Sequence, residues 1–407
     1  MPILFQISIG VNSSSTGRIA EQIGQAVIDQ GWDSYITYAR NYIQPSTSKT
    51  IKIGNTFDAY CHGVNTRLFD NHCLSSTNAT KKLIERIKQI KPDIIQLHNI
   101  HGYFINMKIL FDFLKNIDLP VVWTLHDCWP LTGHCVHFDY IGCEKWINGC
   151  YKCPQKKEYP ASKLFDRSRK NYDLKKQLFN NVRNMTIVPV SFWLEKIVEK
   201  SFLKKCPIKV IPNGVDINIF SPIENTDAMK KKYSIGSKFI LLGVASNWEK
   251  RKGLDDFILL NNIIDHSIYQ IFLVGINKHQ QKKIPKGIIG IERTENTSEL
   301  AALYSVADVH ISCSVEETFG LTVVESMACG TPVIVYNHTA MPELVDNSTG
   351  FVVEKGDIEN LYISIMKIRK NNKKYYSNNC RKKAVTLYNK QDRYKEYITL
   401  YNLLLGK

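Results

Sequence analysis

At 407 residues the chain exceeds what one ordinary hydrophobic core accommodates, and it fits two domains of roughly 200 residues each. Its 44% hydrophobic and 22% charged residues are ordinary for a globular protein, and no apolar run approaches the ~20 residues a bilayer span needs. The formal charge of +15 favours anionic partners, whether nucleic acid, anionic lipid or phosphorylated substrate, without choosing among them.

The opening run MPILFQISIG has no positive leader and no small-residue cleavage site, so it reads as a buried first strand of a cytoplasmic protein. Disulfides are rare there, which weighs against reading the eleven cysteines as staples. Apolar runs at 3–9, 93–98, 121–126, 185–191, 208–213, 239–245, 270–276, 309–314 and 332–337 predict strands. Amphipathic stretches such as 18–31 and 298–308 predict helices between them. Strands that are apolar throughout and separated by helices indicate parallel sheets covered on both faces. Two such series predict an α/β protein of two Rossmann-like domains facing a cleft, with ligands beyond the carboxyl ends of the strands. The expected domains span 1–200 and 201–390, and 391–407 is expected to return as a helix to the first.

In the first strand-to-helix turn, GVNSSSTGRIAEQIG (10–24), Gly17 and Arg18 stand at the helix start. The turn is not GxGxxG, which disfavours NAD. From 128 to 160 the β/α rhythm breaks into a loop excursion, and residues 128–154 hold five cysteines. Cys150 and Cys153 form a Cys-x2-Cys pair, with Cys135 and Cys143 at loop-compatible distances before them. Four thiolates would fill a tetrahedral structural zinc site and leave no open position for catalysis. His134, His137 and Cys128 are substitute ligands, and metal-free reduced thiols are the alternative, because the first two spacings exceed those of a standard ribbon. The lysine-rich helices at 81–92 and 367–383 read as solvated basic faces, without aromatic interleaving of the RNA-binding kind.

The stretch SVEETFGLTVVESMACGTPVIV (314–335) carries the strongest signal. Glu317 lies in a loop and Glu325 on the helix that follows, with Gly320 near the helix start. Such a helix N-terminus offers N–H groups to a phosphate, and a carboxylate on the helix can hold a ribose. The bland reading is an acidic preference at a helix N-terminus.

With Phe319-Gly320-Leu321 and Cys329-Gly330-Thr331-Pro332, the pair becomes Glu-x7-Glu followed by Ala-x-Gly-x-Pro. Here the chain resembles the GT-B-fold retaining glycosyltransferases of family 4 (group 1). The resemblance continues in KPDIIQLHNIHG (91–102), PVSFWL (189–194), IPNGVD (211–216), 296–314 and 341–353. It is nearest to an exopolysaccharide and O-antigen subfamily similar to colanic-acid transferases, in which TLHDCWPLTGHC and a GC..CP insert also occur.

The resemblance implies transfer of a sugar from a UDP- or GDP-sugar to a saccharide acceptor, undecaprenyl-diphosphate-linked, for a bacterial surface polysaccharide. It gives catalytic roles to His126, Glu317 and Lys252, and ribose binding to Glu325. Gly320, Leu321, Thr322, Gly17, Asn213 and Thr294 complete the donor side. The strand-end Gly-Arg of the family is replaced by GVASNW (243–248), so Arg251 is the substitute diphosphate cation. Arg18 and Asp127 fall on the acceptor side, where His98 and His101 either line the pocket or satisfy backbone groups. No Asp-x-Asp stands in the expected place, so no catalytic metal cofactor is expected; one structural zinc is. Lys152, Lys156, Lys157, Lys163, Arg167, Arg169 and Lys170 would meet anionic lipid at the inner face of the plasma membrane, and no nucleic acid is expected. The competing readings are a GT-B epimerase or phosphorylase, and a basic zinc-containing nucleic-acid-binding protein.

Overall fold

The computed structural model describes residues 1–40 and 42–406. Its strands are β1 (Ile3–Ile7), β2 (Asp33–Ala39), β3 (Lys49–Ile53), β4 (Ile94–Leu97), β5 (Val121–Leu125) and β6 (Met185–Pro189), then β7 (Phe239–Val244), β8 (Tyr269–Val274), β9 (Ile288–Ile291), β10 (Val309–Ser312), β11 (Val333–Tyr336) and β12 (Gly350–Val353). Among the described residues they form two six-stranded sheets, ordered β3-β2-β1-β4-β5-β6 and β12-β11-β10-β7-β8-β9. The pairings are parallel in both.

One compact unit holds residues 1–212 and the chain from 391 onward; the other is Asn213–Lys390. The first boundary falls at 212 rather than 200 for a local reason. The segment 208–211 runs beside β6, with Lys209 and Ile211 N–H donating to the Ile187 and Pro189 carbonyls. Only a single bridge, Ile187 to Ile208, forms there, so the strand expected at 208–213 is absent.

Four strands lie outside the predicted runs. β3, β9 and β12 are sheet edges and β2 lies next to one. Edge strands are partly solvated and carry polar residues, as in Lys-Thr-Ile-Lys-Ile of β3, so they lack a continuous apolar run. The central strands β4 and β5 are buried along their whole length.

The helix Lys390–Leu404 completes the first unit. Tyr394, Tyr397 and Tyr401 share one face at helical spacing and pack with Leu4, Ile23, Val27, Ile94 and Val122. Their phenols also meet the polar groups of the sheet. Tyr401 donates to Gln96, Tyr397 pairs with Thr124 at 3.2 Å, and Gln96 donates to Thr124 at 2.9 Å. Burying Gln96 and Thr124 is tolerable because this helix supplies their partners. Tyr401→Ala removes a fully buried ring and orphans Gln96; a loss of about 3–5 kcal/mol is expected, read as a lowered urea midpoint.

Candidate functional site

In the second unit, β10 lies next to β7, so the loops leaving their carboxyl ends are neighbours. The turn Lys250–Lys252 follows β7 and is closed by Gly253 at φ +74°. A Cβ on Gly253 would lie 2.5 Å from the Cys313 carbonyl oxygen, so only glycine lets this turn press onto the chain leaving β10. The docking is fastened by Val315 N–H to the Arg251 carbonyl at 2.8 Å. As a result, Lys252 Nζ forms an ion pair with Glu317 Oε1.

Glu317 is itself held in place: its N–H donates to Thr339 Oγ1 at 3.0 Å. Burial raises its pKa, but the charges of Lys252 and Arg251, with hydrogen bonds from Lys252 and Ser314, outweigh that and keep the carboxyl below its usual range. Arg251 donates to the Glu316 carbonyl at 3.1 Å and to Glu249 at 3.2 Å, which spreads positive charge along the same loop.

Gly320 precedes the helix Leu321–Ala328 at φ +103°, and a Cβ there would lie 2.9 Å from Met341 Sδ. No side chain caps this helix, whose first turn holds Leu321 and Thr322. Early helical N–H groups have no intrahelical acceptor, so this end suits an anion. Glu325, one turn on, accepts from Tyr304 Oη at 3.2 Å. Asn213 opens the unit and is buried, while Thr294 follows β9, with β7 and β8 between that strand and β10. The structure thus brings Lys252, Arg251, Glu317 and Gly320 together and sets Thr294 at the far sheet edge. Thr339 supports the site without any motif to mark it, and Ser314 and Tyr304 do so from within the matched stretches without being singled out there.

In the first unit, β1, β4 and β5 are successive neighbours in register, so the residues after their ends converge. His98 Nε2 lies 2.9 Å from Gln6 Oε1, and His98 Nδ1 lies 3.0 Å from His126 Nε2. Gln6 Nε2 donates to the Ala20 carbonyl at 2.9 Å, which fixes Oε1 toward His98. His98 therefore donates from Nε2. Burial, with the neighbouring His126, keeps His98 well below its ordinary pKa, and burial brings His126 to about 4 against the opposing charge of Asp127. Both rings are neutral at pH 7. His98 Nδ1 must then accept, His126 Nε2 must donate, and His126 is left with Nδ1 as its acceptor nitrogen.

Asp127 accepts from His101 Nε2 at 2.8 Å and from Trp129 N–H at 2.9 Å. Burial raises its pKa, but His101 and the Trp129 N–H more than reverse this and hold it at about 2. His98 and His101 thus bond to side chains rather than only to backbone. Gly17 and Arg18 lie early in the helix Ser14–Ile28, Gly17 buried and Arg18 exposed.

The insert between β5 and the helix Ser168–Phe179 is fastened from beneath by Lys175, only 1% exposed. Its Nζ donates to the Trp129 and Thr132 carbonyls at 2.7 and 2.9 Å and sits 3.4 Å from the Trp129 ring centre. Burial lowers its pKa to about 7. His134 pairs with Asp70 at 2.6 Å, both side chains fully buried. Cys135 and Cys153 hydrogen-bond to each other, and Gly133 N–H donates to Cys150 Sγ at 3.2 Å. Among the described residues, no three His, Cys, Asp or Glu side chains form a group that could hold a metal ion.

The buried histidines predict acid lability. His62, His126 and His310 have pKa values near 4, lowered chiefly by burial, against an ordinary 6.5. The unfolded chain takes up these protons near pH 6.5 and the folded chain only near 4. Stability should therefore fall as pH drops from 6.5 toward 4, by up to about 3 kcal/mol per histidine. Urea midpoints between pH 7 and 4.5 check this, and ¹⁵N imidazole shifts should show His126 neutral and protonated on Nε2 across that range.

A family model described as Glycosyltransferase Family 4 matches residues 17–219, and one described as Glycosyl transferases group 1 matches 225–385. The chain is 24% identical over 378 residues to WcaC of Escherichia coli (strain K12), a glycosyl transferase assigned to colanic acid biosynthesis, covering 87% of this chain and 88% of that one. It is 26% identical over 224 residues to the UDP-Gal:alpha-D-GlcNAc-diphosphoundecaprenol alpha-1,3-galactosyltransferase of Escherichia coli, covering 51% and 57%. Among solved structures, sucrose-phosphate synthase of Thermosynechococcus elongatus superposes with a TM-score of 0.73 at 16% identity, covering 100% of both chains. With one family model on each unit, the chain is a group 1 glycosyltransferase of GT-B fold.

Proposed function

We propose that the chain moves a sugar from a UDP- or GDP-sugar to a saccharide acceptor carried on an undecaprenyl-type diphosphate, with retention of anomeric configuration, in building a bacterial surface polysaccharide. The carrying observation is the Lys252–Glu317 pair beside the uncapped helix Leu321–Ala328. When the C1–O bond to the diphosphate breaks, negative charge grows on the leaving oxygen. A fixed ammonium and helix N–H groups aimed there lower that cost. Glu317 then turns to the donor sugar and Glu325 takes the ribose, and the resemblance gives His126 a catalytic role beside them. The acceptor hydroxyl attacks on the face the diphosphate leaves and passes its proton to the departing phosphate oxygen. No carboxylate is assigned as nucleophile, in contrast to retaining hydrolases.

The relatives support the acceptor and pathway through the printed activity of the galactosyltransferase and the colanic acid assignment of WcaC. We place the enzyme in the cytoplasm, at the inner membrane face. No helix of the described residues is long and apolar enough to cross a membrane. The basic run from Lys152 to Lys170 is joined by exposed Leu164 and Phe165, with Phe69 stacked on Phe165 at 5.8 Å. For the insert, one structural zinc on Cys135, Cys143, Cys150 and Cys153 stays a proposal. It is supported by the Cys135–Cys153 contact and requires the other two thiols to draw in.

Lys252→Ala should lower turnover of the accepted nucleotide sugar about 10²–10³-fold, and Lys252→Arg less. A screen in which no UDP- or GDP-sugar is hydrolysed or transferred would remove the donor reading, and a covalent glycosyl-enzyme on an Asp or Glu would remove the front-face mechanism. Vesicles rich in anionic lipid should bind the chain, with binding lost at high salt and weakened by Phe165→Ser. Metal analysis of protein purified without chelator should find about one zinc per chain; metal-free folded protein ends that proposal.

A further inference from the structure

The first unit contains a ring cluster that donor chemistry leaves unused. Tyr159, at the end of the insert, is 42% exposed, and its Oη lies 3.1 Å from His101 Nδ1. His101 Nε2 bonds Asp127 and its Nδ1 shares one hydrogen with Tyr159 Oη, and in either direction of that bond the phenol oxygen keeps a lone pair for an incoming hydroxyl. Tyr103 stands 6.0 Å from Tyr159 with the rings at 70°, making an aromatic corner. Its backbone is at φ +70°, a left-handed conformation that a bulky residue rarely adopts and that clusters at binding sites.

Behind the corner lies His72, 3% exposed, with neither ring nitrogen hydrogen-bonded. It faces Tyr103 at 5.4 Å and Tyr159 at 5.8 Å, both nearly edge-on. An unpartnered buried imidazole is costly, so a site that retains one is built for more than packing.

Positive charge rims the corner. The Arg67 guanidinium lies 5.9 Å from the Tyr103 ring centre, and Arg40 reaches the Gly102 carbonyl at 3.3 Å. Arg40 Nε is buried without a partner. Both arginines oppose the burial that raises the Tyr103 pKa.

We propose that Tyr103 and Tyr159 seat the acceptor's sugar ring, with Tyr159 Oη accepting from a sugar hydroxyl and Arg40 and Arg67 binding a phosphate on that sugar. The ligand class is a glycosyl diphosphate. The proposal rests on the transferase reading and gives the cysteine-bearing insert a part in acceptor choice, since Tyr159 belongs to it.

The test is binding to the full chain, followed by intrinsic tryptophan fluorescence or calorimetry. The probes are the α-diphosphates of N-acetylglucosamine, glucose and galactose, each with and without a short phenoxyalkyl tail, and inorganic pyrophosphate. At least one glycosyl diphosphate should bind. Tyr159→Phe should weaken it about 3–10-fold while leaving pyrophosphate unchanged. Arg40→Gln should weaken both and flatten the salt dependence. Tighter binding of the tailed probe supports a lipid-borne acceptor, and equal binding supports a soluble one. If either variant loses the wild-type melting temperature, the other decides. Failure of every glycosyl diphosphate to bind, or equal binding by folded variants, overturns the subsite. Donor hydrolysis by the wild type reports separately on the transferase reading. A chain that hydrolyses nucleotide sugar but binds no probe loses only the subsite.

Discussion

Lys252 and Glu317 lie 65 positions apart and meet because β7 and β10 are hydrogen-bonded neighbours running the same way. Parallel pairing sends every loop of interest to one edge of the sheet, and Gly253 allows the last approach between two of them. The rest of the second unit's site follows from that meeting. Glu317 stays ionised because the lysine is there, and the loop bearing Glu317 leads directly into the uncapped helix. The ammonium is thus partly buried and held by a carboxylate. On the proposed reading, a diphosphate entering the site would exchange one anion for another at a lysine that already has a partner.

The first unit solves a different electrostatic problem with similar parts. Two buried acid–base systems sit side by side after β4 and β5. One is neutral: Gln6, His98 and His126 share hydrogens along a line whose direction is set by a single amide. The other is charged: Asp127 stays ionised through His101 and a backbone N–H. Burial alone would neutralise both. The difference comes from which partner each group finds, and it gives adjacent residues, His126 and Asp127, distinct chemical characters.

What could be read from the sequence follows physical lines. The eight strands with continuous apolar runs were legible because both their faces are covered, whereas β2, β3, β9 and β12 at or next to the sheet edges were not. Glu317, Glu325 and Lys252 were legible through spacing and resemblance. Gln6, Thr339, Tyr304 and Tyr159 were not, since each matters only through a partner brought in by tertiary folding. Gln6 looks like a stray polar residue in a buried strand until Ala20 and His98 close around it. The cysteines show the reverse: their spacing suggests a metal, yet as folded no three His, Cys, Asp or Glu side chains among the described residues form a group that could hold one.

The helix Lys390–Leu404 has a consequence for biosynthesis. The second unit is one continuous segment, complete when residue 390 leaves the ribosome. The first unit begins earlier but lacks Tyr394, Tyr397 and Tyr401 until the second unit has been made, and with them the partners of Gln96 and Thr124. Vectorial synthesis therefore reverses the order of maturation. The half begun first waits, with an open seam over its central strands, for residues made after the second half.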